Sequence, residues 1–412
     1  MTKYNEDAYE EDGRPVKKSS GQARKSSGHP HKSSGSKKSS TGSSKKGNSS
    51  KGGGSKPKGG KKLSKKEQAR KQRRRIILFI LEIFVLVIMV VVLYGVLQTE
   101  KTGKVELKES DIIINDTVKQ EEQASMKGYR NIALFGVDST TGALTKNTRS
   151  DTIMIASVDQ DTGACKLVSV YRDTYLNLSN DSYNKCNSAY AKGGPEMAIS
   201  MLNMNLDMNI TDFVTVGFAG LTDTIDALGG VYIDVDDAEI NHLNNYQLCI
   251  AEDLKRTYTP VSNTGYQILN GLQATGYCRI RYTAGDDFKR TERQREVLSA
   301  VADQAKKANP LQLAEIANNV FEEVYTSLDV SEIVALLGDV GKYNIVGQAG
   351  FPNETYRRTG TVGSKGSCVI PDDLETNVRW LHSFLFENES YEPSDMVKTC
   401  SRKIAEDTAG AK

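Results

Sequence analysis

The run Lys166-Leu167-Val168-Ser169-Val170-Tyr171-Arg172-Asp173 reads as a strand that ends in a cation and a carboxylate. With Thr152 to Val158 it flanks the turn-like stretch Asp159-Gln160-Asp161-Thr162-Gly163, so the two runs read as a hairpin. Further upstream, Ile132-Ala133-Leu134-Phe135-Gly136-Val137 is an apolar run of strand length, closed by Asp138. Arg149-Ser150-Asp151 leads into the middle run. Successive strands thus carry charged residues at their ends, where ligand sites gather in α/β sheets.

Downstream the pattern alternates. Gly194-Pro195-Glu196 opens a helix to about Leu206, with Pro195 suited to a first turn. Phe218 to Leu228 reads as a helix stopped by Gly229-Gly230, and Val231 to Val235 follows as a strand. Asp287 to Lys307 is a long helix ended by Asn309-Pro310, with Asp287 at its N-cap. Mixed elements over residues 128–308 fit a single layered α/β domain. Residues 309–390 follow without a linker and read as an extension of that domain, and residues 391–412 as a frayed tail.

Charge is divided along the chain. Residues 1–75 hold 23 Lys+Arg against 6 Asp+Glu, while the remainder holds 31 against 46. The overall balance of +2 hides this asymmetry. The first 75 residues are rich in Ser, Gly and Lys, cannot bury enough apolar surface to order, and read as a disordered tail. Residues 76–97 form an apolar run of about 22 residues, long enough at about 1.5 Å each to cross a bilayer. Arg73-Arg74-Arg75 before it place the tail in the cytoplasm by the positive-inside rule. Glu82, the one charge in the span, fits snorkelling or pairing with those arginines. Residues 98–127 read as a stalk, and everything beyond the span then lies outside the cell. All six cysteines fall in that exported part, where disulfides are permissible, and none has a CxxC spacing.

The chemistry concentrates in two regions. One holds Arg172 and Asp173. The other runs from Arg279-Ile280-Arg281 to Asp287-Phe288-Lys289-Arg290-Thr291-Glu292-Arg293-Gln294. Together they supply five arginines, three carboxylates and a glutamine. Arginine suits bidentate capture of phosphate oxygens. Asp287, Arg290 and Gln294 stand at spacings 0, 3 and 7, so they share one helical face. The plain alternative is a capped, solvated, charged helix. Carboxylates beside such arginines neutralise them or, with phosphate oxygens and water, hold Mg²⁺.

Only His242 and His382 lie beyond the span, which excludes a histidine metal cluster and an obvious Ser-His or Cys-His triad. There is no G-x-x-x-x-G-K-[ST] loop and no DNA-binding motif. The basic tail is accounted for by anionic lipids rather than nucleic acid. A phosphate-handling protein outside the cell needs a donor that is already activated and already at the membrane. A polyprenyl-linked pyrophosphate meets both conditions.

At this point the sequence resembles the LytR-CpsA-Psr family of cell-envelope phosphotransferases. The matching blocks are Phe135-Gly136-Val137-Asp138, Arg149-Ser150-Asp151-Thr152, Ser169-Val170-Tyr171-Arg172-Asp173, Asn187 through Gly194, Ile225 through Val231, and Arg279 through Gln294. They run in family order over about residues 130–300. Tyr171 departs from the family, which usually has proline before Arg-Asp. The resemblance implies a central mixed β-sheet flanked by helices, with a lipid tail held in an apolar groove between them. It implies transfer of a glycopolymer from an undecaprenyl-pyrophosphate carrier to a peptidoglycan hydroxyl, leaving a phosphodiester. By matching motif, Asp138 and Asp151 would hold Mg²⁺, with Mn²⁺ as a substitute. Arg149, Arg172, Arg279, Arg281 and Arg290 would bind the pyrophosphate, with Gln294 as a hydrogen-bonding partner. Asp287 would orient the arginines; Asp173 would do likewise or assist deprotonation. Two other readings stay open: a polyprenyl-pyrophosphate hydrolase, and a non-catalytic envelope anchor or regulator that senses lipid-linked glycans.

Overall fold

The three apolar runs build the middle of the sheet. A computed structural model of the chain places strand β2 over Tyr129–Val137, β3 over Ser150–Asp159 and β4 over Ala164–Val170, paired antiparallel in that order. The structure describes residues 103–104, 107 and 109–411, except 122–125, 140–143, 146, 282, 284, 310–311, 314–315 and 318–322. The basic tail and the membrane span at 76–97 lie outside the described residues. Among the described residues, no helix is long and apolar enough to cross a membrane.

The remaining strands are β1 (Gly103–Lys104), β5 (Tyr175–Asn177), β6 (Tyr183–Lys185), β7 (Asp212–Val216), β8 (Val231–Val235), β9 (Gly265–Leu269), β10 (Val324–Thr326), β11 (Asn344–Phe351), β12 (Arg357–Thr361) and β13 (Ser367–Pro371). The seven-stranded sheet runs β1-β10-β7-β2-β3-β4-β11. Parallel pairs (β2 with β7, β4 with β11) mix with antiparallel ones, so the sheet is mixed. Residues beyond 309 therefore complete the sheet, with β11 at one edge and β10 just inside the other, between β1 and β7. The strand at Val231–Val235 pairs with β9 in a separate two-stranded ladder.

The helices are α1 (Asp116–Glu121), α2 (Asn187–Leu206), α3 (Phe218–Ala227), α4 (Asp237–Asp253), α5 (Gly271–Tyr277), α6 (Asp286–Ala305), α7 (Val330–Gly338), α8 (Leu374–Phe386) and α9 (Asp395–Thr408). One face of the sheet gives Ala133, Phe135, Ile155 and Val168 to the main core, with Tyr190, Ile199 and Leu202 of α2. The other face gives Leu134, Ala156, Val158 and Leu167, met by Leu298 of α6. This alternation is the period-two signature of strands buried on both faces. Burying an aliphatic side chain here contributes about 1.5–3 kcal/mol.

Four sequence expectations need correction. The helix expected from Pro195 begins earlier, at Asn187, and breaks at Gly194 (φ 69°, ψ −159°) before Pro195 restarts it. Asp287 is not the N-cap of α6; Gly285 is, at φ 97°, because the carboxylate of Asp287 faces arginines instead of the helix's own amides. The segment at 98–127 is not a free stalk: Ile112, Val118 and Met126 are buried in the main core. Nor is 391–412 frayed. Ser394 caps α9, and Val397, Cys400 and Ile404 bury its inner face. All six cysteines are free thiols.

Candidate active site at the sheet's charged end

The chain leaves β4 through a tight loop with its carbonyls fully engaged. Tyr171 O accepts from the Thr174 amide (2.9 Å), Arg172 O from Asn187 (3.1 Å), Asp173 O from Val369 (2.9 Å) and Thr174 O from Cys186 (2.8 Å). The buried Cys186 thiol also donates to Tyr171 O at 3.1 Å. Backbone so constrained fixes the direction of Arg172 and Asp173.

Arg172 is 9% exposed. Its Nη1 donates to Asp151 Oδ1 at 2.8 Å, and its Nε lies 3.8 Å from both Asp173 Oδ2 and Asp287 Oδ1. Asp287 also lies 2.8 Å from Arg290 Nη2 and 3.6 Å from Arg281 Nε. Asp287 and Arg290 thus meet on one side of α6, and Gln294, one turn further on, is buried. Gln294 Nε2 donates to Cys278 O at 3.4 Å. Arg279 stacks over Phe218 (4.5 Å) and Tyr246 (5.3 Å), which sets its plane.

Two residues fall differently from the sequence reading. Arg293, grouped with the others by proximity in the chain, points away into the core. It pairs with buried Glu239 at 2.7 Å and donates to Ile280 O (3.1 Å) and Thr283 Oγ1 (2.7 Å), pinning the Arg279–Arg281 segment to α6. Lys185, which sequence reasoning missed, lies 3.2 Å from Asp173 Oδ1. No periodicity marks it; only the pairing of β5 with β6 brings it to the site.

The electrostatics are those of a compact anion trap. Burial would raise the Asp151 carboxyl, but Arg172, Arg290 and Arg279 outweigh it and hold it below the usual carboxylate range. Burial and the neighbouring Arg172 push Arg290 below the ordinary guanidinium value, with Asp287 and Asp151 opposing. Arg172 Nε, Arg279 Nη1, and Arg290 Nε and Nη2 are buried donors without a hydrogen-bond partner among the described residues. The short Arg290–Asp287 approach is thus an ion pair without hydrogen-bond alignment. Buried donors in native proteins are nearly always satisfied, and each one left unmatched costs about 1–3 kcal/mol. Several in one cluster are what a polyanion would engage.

Asp138 stands exposed just past β2, and Arg149 stands exposed just before β3. The pairing of Val137 with Ser150, after a register shift at Gly136 that leaves Asp151 without a ladder partner, brings these strand ends together. The described residues contain no group of three or more His, Cys, Asp or Glu able to hold a metal. A pair of carboxylates at adjacent strand ends still fits Mg²⁺, which takes one or two carboxylates and fills its shell with phosphate oxygens and water.

Buried arginines balanced by carboxylates thus gather at one end of a mixed α/β sheet. The sequence model of the LytR_cpsA_psr family matches residues 93–368, and the chain belongs to that family. TagV of Bacillus subtilis, named a polyisoprenyl-teichoic acid–peptidoglycan teichoic acid transferase, is 32% identical over 193 residues, covering 46% of this chain and 47% of its own. Biofilm regulatory protein A of Streptococcus mutans is 31% identical over 221 residues, covering 50% and 52%. The chain spans about half the length of these curated relatives. The crystal structure of B. subtilis TagV superposes with a TM-score of 0.51 at 26% identity, over 65% of this chain and 99% of that one.

Proposed function

We propose that this protein transfers a glycopolymer from a polyprenyl-pyrophosphate carrier to a hydroxyl of peptidoglycan, forming a phosphodiester. The observation that carries the reading is the set of buried, unmatched arginine donors around Asp151 and Asp287. Counting Lys185, the cluster has five cations (with Arg172, Arg279, Arg281 and Arg290) against three carboxylates (Asp151, Asp173 and Asp287). Its surplus of positive charge suits a pyrophosphate. Arg290, Gln294 and Leu298 lie in line on α6, one turn apart, and Leu298 belongs to the apolar layer on the sheet. That line suits a charged head with an isoprenoid tail.

In this reading Arg172, Arg279, Arg281 and Arg290 bind the pyrophosphate and stabilise charge growing on the departing polyprenyl phosphate. Gln294 adds a hydrogen bond, and exposed Arg149 meets the outer phosphate or the glycan. Asp138 and Asp151 would hold Mg²⁺, which supplies charge neutralisation at the phosphates when bound. Asp287 spaces the guanidiniums. Asp173 faces cations with both oxygens, Lys185 at 3.2 Å and Arg172 at 3.8 Å, which makes it an orienting group. The acceptor hydroxyl attacks the glycan-linked phosphorus. The bond to the bridging oxygen breaks, polyprenyl phosphate leaves, and the acceptor's proton passes to water. The run at 76–97 would anchor the chain, with the tail cytoplasmic and the site outside the cell.

The name of the S. mutans relative favours a second reading, a regulator that binds lipid-linked glycan without transferring it. Incubation of the purified protein with a polyprenyl-pyrophosphate glycan, Mg²⁺ and peptidoglycan oligosaccharides separates the two. Transfer gives a joined product cleaved by mild acid. Tight donor binding with no product supports the regulator.

A further inference from the structure

A third element ties the end of β4 to the start of α6. Arg357, the first residue of β12, sets its guanidinium 4.0 Å from the Phe288 ring centroid and 4.8 Å from that of Tyr171. The two rings meet edge to face at 4.7 Å. Arg357 Nη1 donates to the Tyr171 hydroxyl and to Pro352 O, both at 3.1 Å. Tyr171 is 5% exposed, and its hydroxyl lies against Gly350, where any Cβ would collide with it.

The positions in sequence give this cluster its meaning. Tyr171 precedes Arg172, and Phe288 follows Asp287. The groups they carry, Arg172 Nε and Asp287 Oδ1, are 3.8 Å apart. Arg172 and Arg290 are like charges on separate elements, so their spacing must be imposed from outside the pair. We propose that Arg357 is a positioning residue for the pyrophosphate site, clamping Tyr171 to Phe288 and so holding the Arg172 loop against the first turn of α6. The clamp depends on both the hydroxyl and the ring edge of Tyr171. Arg357 acts through these two side chains. The inference rests on the pyrophosphate reading of the site, and its test separates the two.

The experiment uses the full chain in detergent, with farnesyl pyrophosphate and Mg²⁺ as the probe. Calorimetry measures affinity, and hydrogen exchange of the unliganded protein measures order at residues 288–292. Arg357→Gln is expected to weaken the probe roughly tenfold or more, as partners that orient ligand-binding groups do. Arg357→Lys is expected to weaken it similarly, because an ammonium keeps the charge but loses the planar stack and fork. Tyr171→Phe removes only the hydroxyl and keeps the fold testable if Arg357→Gln does not fold. It should weaken binding, and adding it to Arg357→Gln should cause little further loss. Exchange at 288–292 should quicken in each variant, while Arg379→Gln, on distant α8, should change nothing. Wild-type affinity in Arg357→Gln, or full rescue by lysine, overturns the clamp. If the wild type does not bind the probe, the pyrophosphate reading fails. The exchange data then decide alone, and unchanged exchange at 288–292 overturns the clamp.

Discussion

Oδ1 of Asp287 lies 2.8 Å from Nη2 of Arg290, and the same oxygen is within 3.8 Å of Arg281 and Arg172. One carboxylate therefore spaces guanidiniums from three separate segments. Asp287→Asn keeps the shape and removes the charge that gathers them. Transfer kcat/KM is expected to fall roughly 100-fold, with the melting temperature close to that of the wild type. Steady-state kinetics and a thermal melt check this. Unchanged kcat/KM would mean that the arginines hold their places without it.

Arginine geometry, rather than positive charge, should matter at two positions. Arg172→Lys and Arg290→Lys keep the cation but lose the fork, and each is expected to remove most transfer activity. Lys289 lies beside Arg290 in sequence but faces Glu292 at 3.0 Å on the exposed side. Lys289→Ala should stay near normal. Equal losses at 289 and 290 would show that no aligned site exists.

Asp138→Ala and Asp151→Asn should each abolish transfer while the fold persists, since Asp138 is exposed and asparagine keeps an acceptor oxygen for buried Arg172. Isothermal titration with Mn²⁺ in the presence of farnesyl pyrophosphate gives a direct readout of metal binding. Both variants should lose the metal-dependent heat. Full activity in excess chelator would remove the metal from the account.

Stability should depend on pH through His382. Its ring stacks on Tyr391 with centroids 3.6 Å apart, and Nε2 bonds Leu206 O at 3.0 Å. Burial pushes its pKa down to about 4, against about 6.5 in the unfolded chain. Between those values the unfolded chain binds the proton and the folded one does not. Stability is therefore full above about pH 6.5 and declines as pH falls toward 4. In His382→Gln, the stability difference between pH 7 and pH 4.5 should shrink by about 2 kcal/mol. Urea melts at the two pH values measure it.

What was legible in the chain was local. The β3–β4 hairpin followed from apolar runs around a turn, and the Asp287–Arg290–Gln294 face from helical period alone. What was hidden depends on long-range placement. Arg293 sits three residues from Arg290, yet Glu239, 54 residues away, draws it into the core. Lys185 and the rings that orient Arg279 reach the site only through the folded topology. The helix at 395–408 did carry a signal: Ser394 caps it, and Val397, Cys400, Ile404 and Thr408 recur at helical spacing on its buried side.

The most direct measurement is the initial rate of polyprenyl phosphate release from a polyprenyl-pyrophosphate glycan, followed as peptidoglycan acceptor is varied without any nucleotide. The account predicts release that rises with acceptor and matches the joined glycan mole for mole. Release at the same rate without acceptor, or donor binding with no release at all, would contradict it.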